Sequence, residues 1–351
     1  MEYIVRCRIV NKIVLVAIVV VVAIVAGVTG YYIASISRPS PTATTSPTQI
    51  SIAFIFPGSI TDTAWNEAGY QSMLSFVGSH PEVKYAWVQG VYDPTQIISI
   101  AKSYAQQGFK LIIGVGFQFG PPFAQIASQT PGVYYLAIAG APQYVGPQVS
   151  GANIRTDQSC FVEGWIAIQI SKTKQIGYVA GMNVSELGLC EIGLRNGIKY
   201  AGYNPDQVLH VVYTGDFHDV TKAKLATESL IQQYHVDVIK SMGDGVQLGA
   251  ISAVKEFPGV LIMPSSTYHP ELYAEQLLVG EVWDWSAVYS QFYNDYLSGK
   301  LAQGGQYYWA NLANGGIKLV QGSACPSDLW SKAQDIIKGI VNGTISTGFT
   351  P

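Results

Sequence analysis

From Ile50 onwards, short apolar runs alternate with longer segments of helical periodicity. Apolar runs of four to eight residues are typical of buried strands, and a 3.6-residue period is typical of helices. The predicted strands are Ile50–Phe56, Tyr85–Val88, Leu111–Val115, Val133–Ala139, Gln175–Ala180, Val208–Tyr213, Val236–Ile239 and Val260–Met263. The predicted helices are Thr63–Val77, Thr95–Gln107, Phe123–Ser128, Gln158–Ser171, Ser185–Tyr200, Thr221–Gln233 and Val246–Glu256. This alternation predicts an α/β protein with parallel sheets covered by helices on both faces.

The alternation contains an internal repeat. Asp93 starts a predicted helix 38 residues before the sequence Pro-Gly-Val at Pro131, and Asp219 starts another 39 residues before the same sequence at Pro258. A helix, a strand and a second helix fall inside each interval. We therefore expect two similar Rossmann-like lobes.

The segment after Trp283 is too short for a third lobe. Its predicted elements are helix Ser286–Ser298, strands near Tyr307–Ala310 and Ile317–Val320, and helix Ser327–Asn342. We expect these pieces to complete both lobes, so that lobe 1 comprises residues 50–153 and about 284–316, and lobe 2 comprises residues 154–283 and about 317–345. The chain would then cross between the lobes several times, as in two-lobed binding proteins that close on a ligand by hinge motion.

The N-terminal region has a different pattern. Ile13–Ser37 is a run of 25 residues without a charge, and about 20 apolar residues suffice to cross a bilayer. Arg6, Arg8 and Lys12 precede it, so the positive-inside rule predicts a cytoplasmic segment 1–12, a transmembrane anchor 13–37 and an exported remainder. The alternative is a cleaved signal peptide, although the run is long for one. Both alternatives export the remainder.

A polar linker follows the apolar run. In residues 38–49, nine of twelve are Ser, Thr or Pro, a composition that favours an extended stalk. We therefore expect a protein of the cell membrane, held by a single-pass anchor, with its folded domain outside the cell.

The charge composition restricts the function of the chain. The chain has 351 residues, of which 12% are charged, and its 20 basic residues do not exceed its 23 acidic ones. Nucleic-acid binding is excluded because no basic excess is available for phosphates. A charge-poor domain would suit an acidic or hot exterior, where carboxylates protonate and lose their pairing.

The sequence offers no recognisable catalytic motif. It contains no Gly-x-Ser-x-Gly elbow and no phosphate-binding loop. Its five histidines and four cysteines do not show metal-ligand spacing. We therefore predict a protein that is not an enzyme and that uses neither a cofactor nor a metal.

Aromatic and acidic residues follow several predicted strands. In parallel α/β sheets, ligands bind beyond the carboxyl ends of the strands. Aromatic faces with carboxylates between them suit a flat heteroaromatic ring. A carboxylate can accept hydrogen bonds from the N–H groups of such a ring. The candidate ligand-binding residues are Asp62, Trp65, Asn66, Phe117, Phe119, Phe217, Asp244 and Trp283.

These residues lie within blocks that resemble the basic membrane protein family, the substrate-binding proteins of ABC transporters that are related to purine nucleoside receptors. The matching blocks begin at Ile52, Asp62, Gln107, Glu163, Lys174, Tyr213, Trp283 and Leu297. The resemblance implies a type I periplasmic-binding-protein fold and a purine ring held between aromatics of the two lobes. Trp65 and Phe217 occupy the matching positions. It also implies a partner permease in the membrane.

The sequence departs from the nucleoside-binding pattern at two positions. Family members tend to carry aspartates where this chain has Ala139 and the run Ser265–Thr267. Trp283–Trp285 is closer to members that take a free base. We therefore expect a purine nucleoside or nucleobase as ligand, with a sugar or amino acid as the alternative in the same fold and a nucleoside-processing enzyme as a more distant one.

Some features leave alternatives open. Cys160 and Cys190 lie on consecutive predicted helices of one lobe, where they either form a disulfide or remain free thiols. Asn183 and Asn342 match the glycosylation sequon, which is a short and frequent pattern. We expect the exported domain to be monomeric.

Overall fold

Residues 49–351 are described by the computed structural model, and residues 50–351 form one compact unit. The predicted cytoplasmic segment 1–12, the predicted anchor 13–37 and the predicted stalk up to residue 48 lie outside the described residues. Within the described part of the chain, every helix is too short or too polar to cross a membrane.

Strands and helices alternate through most of the described chain. The strands are β1 (Ser51–Ile55), β2 (Lys84–Val88), β3 (Leu111–Val115), β4 (Tyr134–Ile138), β5 (Val149–Ile154), β6 (Ile176–Ala180), β7 (Leu209–Tyr213), β8 (Val238–Met242), β9 (Leu261–Met263), β10 (Val279–Trp283), β11 (Tyr307–Ala310) and β12 (Ile317–Gln321). The helices are α1 (Trp65–Ser79), α2 (Pro94–Gln106), α3 (Gly120–Ile126), α4 (Thr156–Ile170), α5 (Ser185–Tyr200), α6 (Pro205–Val208), α7 (Val220–Tyr234), α8 (Asp244–Glu256), α9 (Ser286–Leu297) and α10 (Ser327–Val341).

Lobe 1 is built on a six-stranded sheet in the order β11-β5-β4-β3-β1-β2. All of its neighbouring strands are parallel. Every residue of β3, Leu-Ile-Ile-Gly-Val, is buried, as expected for a parallel strand that is covered by helices on both faces. Helix α9 packs on α1, and the backbone N–H of Trp285 donates to Ser72 Oγ of α1.

Lobe 2 is built on the parallel sheet β7-β6-β8-β9. Strand β10 continues this sheet beside β9, because Leu278 N–H donates to the carbonyl of Ile262 and Trp283 N–H donates to that of Ser266. Strand β12 pairs antiparallel with β10. The predicted α/β class with parallel sheets is confirmed.

The internal repeat of the sequence corresponds to a repeated topology. The order β2-β1-β3-β4 in lobe 1 matches β7-β6-β8-β9 in lobe 2. Asp93 caps α2 by accepting from Thr95 and Gln96 N–H, and Asp219 caps α7 by accepting from Lys222 N–H. The two aspartates therefore start equivalent helices.

Three chain segments connect the lobes: the β5–α4 junction, the β10–α9 junction and the β11–β12 loop. They lie side by side, since Arg155 N–H donates to the carbonyl of Ala310 and Asp284 N–H donates to that of Gly316, both at 2.9 Å. The two lobes are therefore joined by three adjacent crossings of the chain.

A disulfide joins α4 to α5 in lobe 2. Cys160 and Cys190 are bonded, with their Cα atoms 5.1 Å apart, so the structure selects the disulfide from the two alternatives that the sequence left open. Cys325 is a free, buried cysteine.

The disulfide closes a loop of 30 residues. In the chain-entropy model, a loop of this length stabilises the fold by ~3–4 kcal/mol, because the cross-link restricts the unfolded chain. We expect the double variant Cys160→Ala/Cys190→Ala to lose that amount of unfolding free energy in guanidinium titrations. Cys325→Ala is the matched control for removing a buried thiol, and a loss from the double variant no larger than that from the control would contradict the prediction.

A fully buried ion cluster lies in the core of lobe 2. The ammonium of Lys240 on β8 is 2.7 Å from Glu163 Oε2 on α4 and 2.7 Å from Glu281 Oε2 on β10, and all three side chains are inaccessible to solvent. Ser159 Oγ donates to the other oxygen of Glu281. Burial raises the pKa of Glu163 to about 8, against the opposing effect of Lys240. The folded state therefore favours the protonated form of Glu163 more than the unfolded chain does.

Candidate functional site

A cleft between the lobes lies beyond the carboxyl ends of β1 and β3 in lobe 1 and of β6, β7 and β8 in lobe 2. One cavity in this cleft is bordered by side chains of both lobes, and six of the eight candidate residues line it: Trp65, Asn66, Phe117, Phe217, Asp244 and Trp283. Ligand sites in open α/β sheets occur at this edge.

Trp65 is held rigidly at the first position of α1. Its indole N–H donates to the carbonyl of Val115 at 2.9 Å. Its ring makes edge contacts with Trp283 and Trp285, each with centroids 5.7 Å apart. Trp283 lines the cavity, whereas Trp285 is fully buried behind it. Because the polar atom of Trp65 is already bonded, its ring offers the cleft an apolar, fixed surface.

Phe217 borders the cavity from lobe 2, in the loop after β7. A Cβ on Gly181 would lie only 2.4 Å from its ring, so glycine is needed there to admit the phenyl group. Phe117 of lobe 1 approaches Phe217 with centroids 6.4 Å apart. The cavity is thus aromatic on both sides of the cleft.

Asp244 brings a carboxyl group into the aromatic cavity from the first turn of α8. One oxygen accepts the backbone N–H of Trp65 at 3.3 Å, and the other lies 3.6 Å from Nδ1 of His218. Burial, together with the charge of Asp62, raises the pKa of Asp244 to about 7. The group therefore exchanges a proton near neutral pH and can either accept or donate a hydrogen bond.

Asp62 and Asn66 organise the loop between β1 and α1. The Asp62 carboxylate accepts backbone N–H groups of Ala64, Asn66 and Glu67, and also the Asn66 amide at 2.6 Å. The amide oxygen of Asn66 accepts Gly58 N–H. Asn66 lines the cavity, whereas Asp62 lies behind it and is not one of the lining residues. Their hydrogen bonds serve mainly to fix the position of Trp65.

The prediction for Phe119 is wrong. Its side chain is fully buried in lobe 1, where its ring packs at a tilt against Phe123 with centroids 5.6 Å apart and lies over Gly114. Residues Phe117–Phe119 form a single 3-10 turn, and side chains two positions apart in such a turn point in different directions. Phe117 therefore reaches the cleft and Phe119 reaches the core.

Several cavity residues were not predicted from the sequence. They are Tyr92, Gln118, Glu186, Leu187, His218 and Ser266. Glu186 follows β6 in the first turn of α5, so the rule that ligands bind at strand ends would have found it. Tyr92 and Ser266 lie in irregular segments whose course the sequence pattern does not specify.

Contacts beside the cavity join the two lobes directly. The carbonyl of Thr63 in lobe 1 accepts from Gln247 Nε2 at 3.4 Å and from the hydroxyl of Thr267, both in lobe 2. Glu67 of lobe 1 lies 3.3 Å from the imidazole of His269. With the Asp244–Trp65 bond, these contacts connect the two sides of the cleft.

The chain matches a known family over nearly all of its described part. The profile of a family described as ABC transporter substrate-binding protein PnrA-like matches residues 49–349. The transcriptional activator protein med of Bacillus subtilis is 24% identical, over 74% of this chain and 79% of its own length. The nucleoside-binding protein BmpA of Lactococcus lactis is 23% identical over 56% of this chain and 55% of its own length.

Solved structures share the fold. A solute-binding protein of an ABC transporter system from Aeropyrum pernix superposes with a TM-score of 0.70 at 20% identity, covering 85% of this chain and 92% of that one. A transcriptional activator of the comK gene from Bacillus halodurans gives 0.71 at 22% identity, covering 84% and 99%. The expected periplasmic-binding-protein-like fold is confirmed.

Proposed function

Because the chain belongs to the Bmp family of PnrA-like ABC transporter substrate-binding proteins, we propose that it captures a purine nucleoside or nucleobase in the interlobe cleft. The family resemblance inferred from the sequence blocks is confirmed by this match. The purine ligand, the closing motion and the site residues are our proposal. The name of the Lactococcus lactis relative, a nucleoside-binding protein, supports the ligand class.

One observation carries the proposal. Trp65 of lobe 1 and Phe217 of lobe 2 line the same cavity, with the carboxyl group of Asp244 beside them. A flat ring between these side chains would gain stacking energy from both lobes, and a ring N–H would find an acceptor. The ligand would therefore stabilise the closed arrangement more than the open one, which is what couples binding to closure.

The composition of the cavity argues against the two alternatives in the same fold. Among the described residues that line it, none is Lys or Arg, so an amino acid carboxylate would lack a strong cationic partner. A sugar would need several free polar groups, yet the amide of Asn66 is already bonded to Asp62 and Gly58. An uncharged heteroaromatic ligand fits the remaining surface best.

The proposed location and partners are those of a binding protein that serves a membrane transporter. We place the folded domain outside the cell, held at the membrane by residues 13–37, as a monomer that delivers its ligand to membrane permease subunits. Closure about the three-segment hinge would present a closed form to the permease, and no catalytic step is required. The contacts that Thr63 and Glu67 make across the cleft support this proposal, because they are contacts that a closed form would use.

We expect purines to raise the thermal unfolding midpoint of the protein. Ligands that bind only the folded state stabilise it in proportion to the logarithm of their concentration over Kd. The full chain in mild detergent is scanned with bases, nucleosides, sugars and amino acids while its intrinsic fluorescence is recorded. A shift with a sugar or an amino acid but with no purine would overturn the proposed ligand class.

Trp65→Ala is expected to weaken purine binding by about 5- to 150-fold, because stacking contributes about 1–3 kcal/mol per base. Isothermal titration calorimetry measures the change. Trp65→Phe keeps an aromatic face and should retain most of the affinity. Trp87→Ala, at a half-exposed position on the edge strand β2, is the matched control; equal affinities for Trp65→Ala and this control would remove Trp65 from the site.

A further inference from the structure

The cleft continues beyond the aromatic cavity into a second, larger cavity of about 520 Å³. Phe117, Gln118 and Glu186 line both spaces, so the two cavities adjoin each other. Ligand sites in proteins commonly occupy about 300–1,000 Å³. The second cavity therefore has room for a substantial part of a ligand whose ring lies in the first.

The wall of the second cavity is mostly apolar. Prolines and aromatic rings form much of it, from Pro94, Pro121, Pro122, Pro142, Tyr144 and Tyr307. Two polar groups of this wall are bonded within the protein. The amide of Asn153 donates to Ser185 Oγ, and the hydroxyl of Tyr307 donates to the carbonyl of Gly140. These groups already have partners within the protein.

Glu186 differs from these neighbours. It is 4% exposed, and within residues 49–351 its Oε2 has no hydrogen-bond partner. It is also the one charged residue among the described residues that line the second cavity. Burial raises its pKa to about 7, against the opposing effect of its own backbone N–H. A buried oxygen without a partner lowers stability, and a ligand donor that bonds it would relieve that loss.

We propose that Glu186 determines ligand specificity by accepting a hydrogen bond from a hydroxyl or N–H group on the substituent that a bound purine extends into the second cavity. The same carboxylate, with no Lys or Arg among the described lining residues, repels a phosphorylated substituent. This inference rests on the proposed function. It assigns to Glu186 the discrimination between purines with an unphosphorylated, donor-bearing substituent and either free bases or nucleotides.

The first test uses Glu186→Gln in the full chain, with calorimetric titration of a purine base and the corresponding nucleoside. A hydrogen bond to a charged group corresponds to roughly a 10- to 150-fold change in affinity. We expect the affinity for the nucleoside to fall at least about tenfold and the affinity for the base to change by no more than about twofold. The nucleoside 5′-monophosphate, weak with the parent protein, should gain affinity.

Glu186→Asp and Glu191→Gln complete the series. Glu186→Asp keeps the carboxylate and should restore part of the nucleoside affinity. Glu191→Gln removes a carboxylate of the same helix that pairs with Arg195 outside the cleft, and it should bind as the parent does. A second measurement uses the parent protein alone, with a set of deoxynucleosides that each lack one hydroxyl. At least one of them should bind about tenfold or more weakly than the complete nucleoside, because its missing hydroxyl is the one that Glu186 would accept.

The outcomes separate the two proposals. If base and nucleoside bind but Glu186→Gln weakens both equally or neither, and no single deoxynucleoside is impaired, the role of Glu186 is overturned while the purine site stands. If neither a base nor a nucleoside binds the folded parent protein, the proposed function fails and this inference fails with it.

Discussion

Lys240→Met is expected to lower the unfolding free energy by about 3–5 kcal/mol, because it leaves two glutamates facing each other in the core of lobe 2 without a cation. Glu163 and Glu281 both contact the Lys240 ammonium and are inaccessible to solvent. Burial lowers the pKa of Lys240, but attraction to the two carboxylates outweighs burial, and the net shift is upward. The charged form of Lys240 is thus the one that the folded state selects. Guanidinium titration at neutral pH measures the loss.

Lys338→Met is the matched control, since its side chain is 73% exposed, and surface substitutions usually change stability by no more than about 0.5 kcal/mol. The triple variant Lys240→Met/Glu163→Met/Glu281→Leu removes the whole cluster and should recover most of the loss, because apolar replacements of buried ion clusters are often neutral. If Lys240→Met destabilised no more than the control, the ammonium would not be compensating the buried carboxylates.

Buried polar residues explain where the sequence pattern failed to predict two strands. Strand β10, Val-Gly-Glu-Val-Trp, is interrupted by Glu281, and β5, Val-Ser-Gly-Ala-Asn-Ile, by Ser150 and Asn153. All three polar residues are buried. Their partners, such as Lys240 for Glu281 and Ser185 for Asn153, come from distant parts of the chain. A local pattern cannot show such pairing, so both strands were missed.

Elements with uninterrupted apolar patterns were predicted well. The strand Leu111–Val115 and the helix Ser185–Tyr200 have the predicted bounds. The strand predicted at Val236–Ile239 lies at Val238–Met242 instead, because its last residues include Lys240 and Ser241, whose burial depends on tertiary contacts. Sequence pattern therefore predicted the α/β alternation and left the polar core to be found in the structure.

The candidate site shows the same division. Trp65, Phe217 and Asp244 were selected because they follow predicted strands, and they lie around one cavity. Asp62 follows a strand equally closely but caps its own loop. The ends of predicted strands indicate at which edge of a sheet a ligand site lies. Which side chains face the cavity depends on the geometry of the turns, and the sequence pattern does not show that geometry.

Unfolding free energy is expected to be higher at pH 5 than at pH 8 by at least about 3 kcal/mol. Burial is the main reason why the pKa of Glu163 rises to about 8 and those of Glu186 and Asp244 to about 7. Between their ordinary values near 4 and these raised values, the folded state keeps protons that the unfolded chain has released. Stability therefore falls as pH rises through this range, by up to about 1.4 kcal/mol per pH unit for each such group.

Groups with lowered pKa values limit the effect on the acid side. Backbone hydrogen bonds lower the pKa of Asp216 and Glu82, and the stability that these groups contribute is lost as pH falls through their folded values. Burial lowers the pKa of His210, so its contribution is lost as pH falls through the ordinary range of histidine. We therefore expect a stability maximum on the acid side of neutrality, which agrees with a charge-poor domain suited to an acidic exterior.

Chemical unfolding at fixed temperature across pH 4 to 9 tests this profile. Glu186→Gln should reduce the difference between pH 5 and pH 8, because one proton-retaining group is gone, and Glu191→Gln should leave it close to that of the parent. A parent protein that is more stable at pH 8 than at pH 5 would contradict the prediction. It would mean that the three carboxyl groups ionise in the folded state with partners strong enough to compensate their burial.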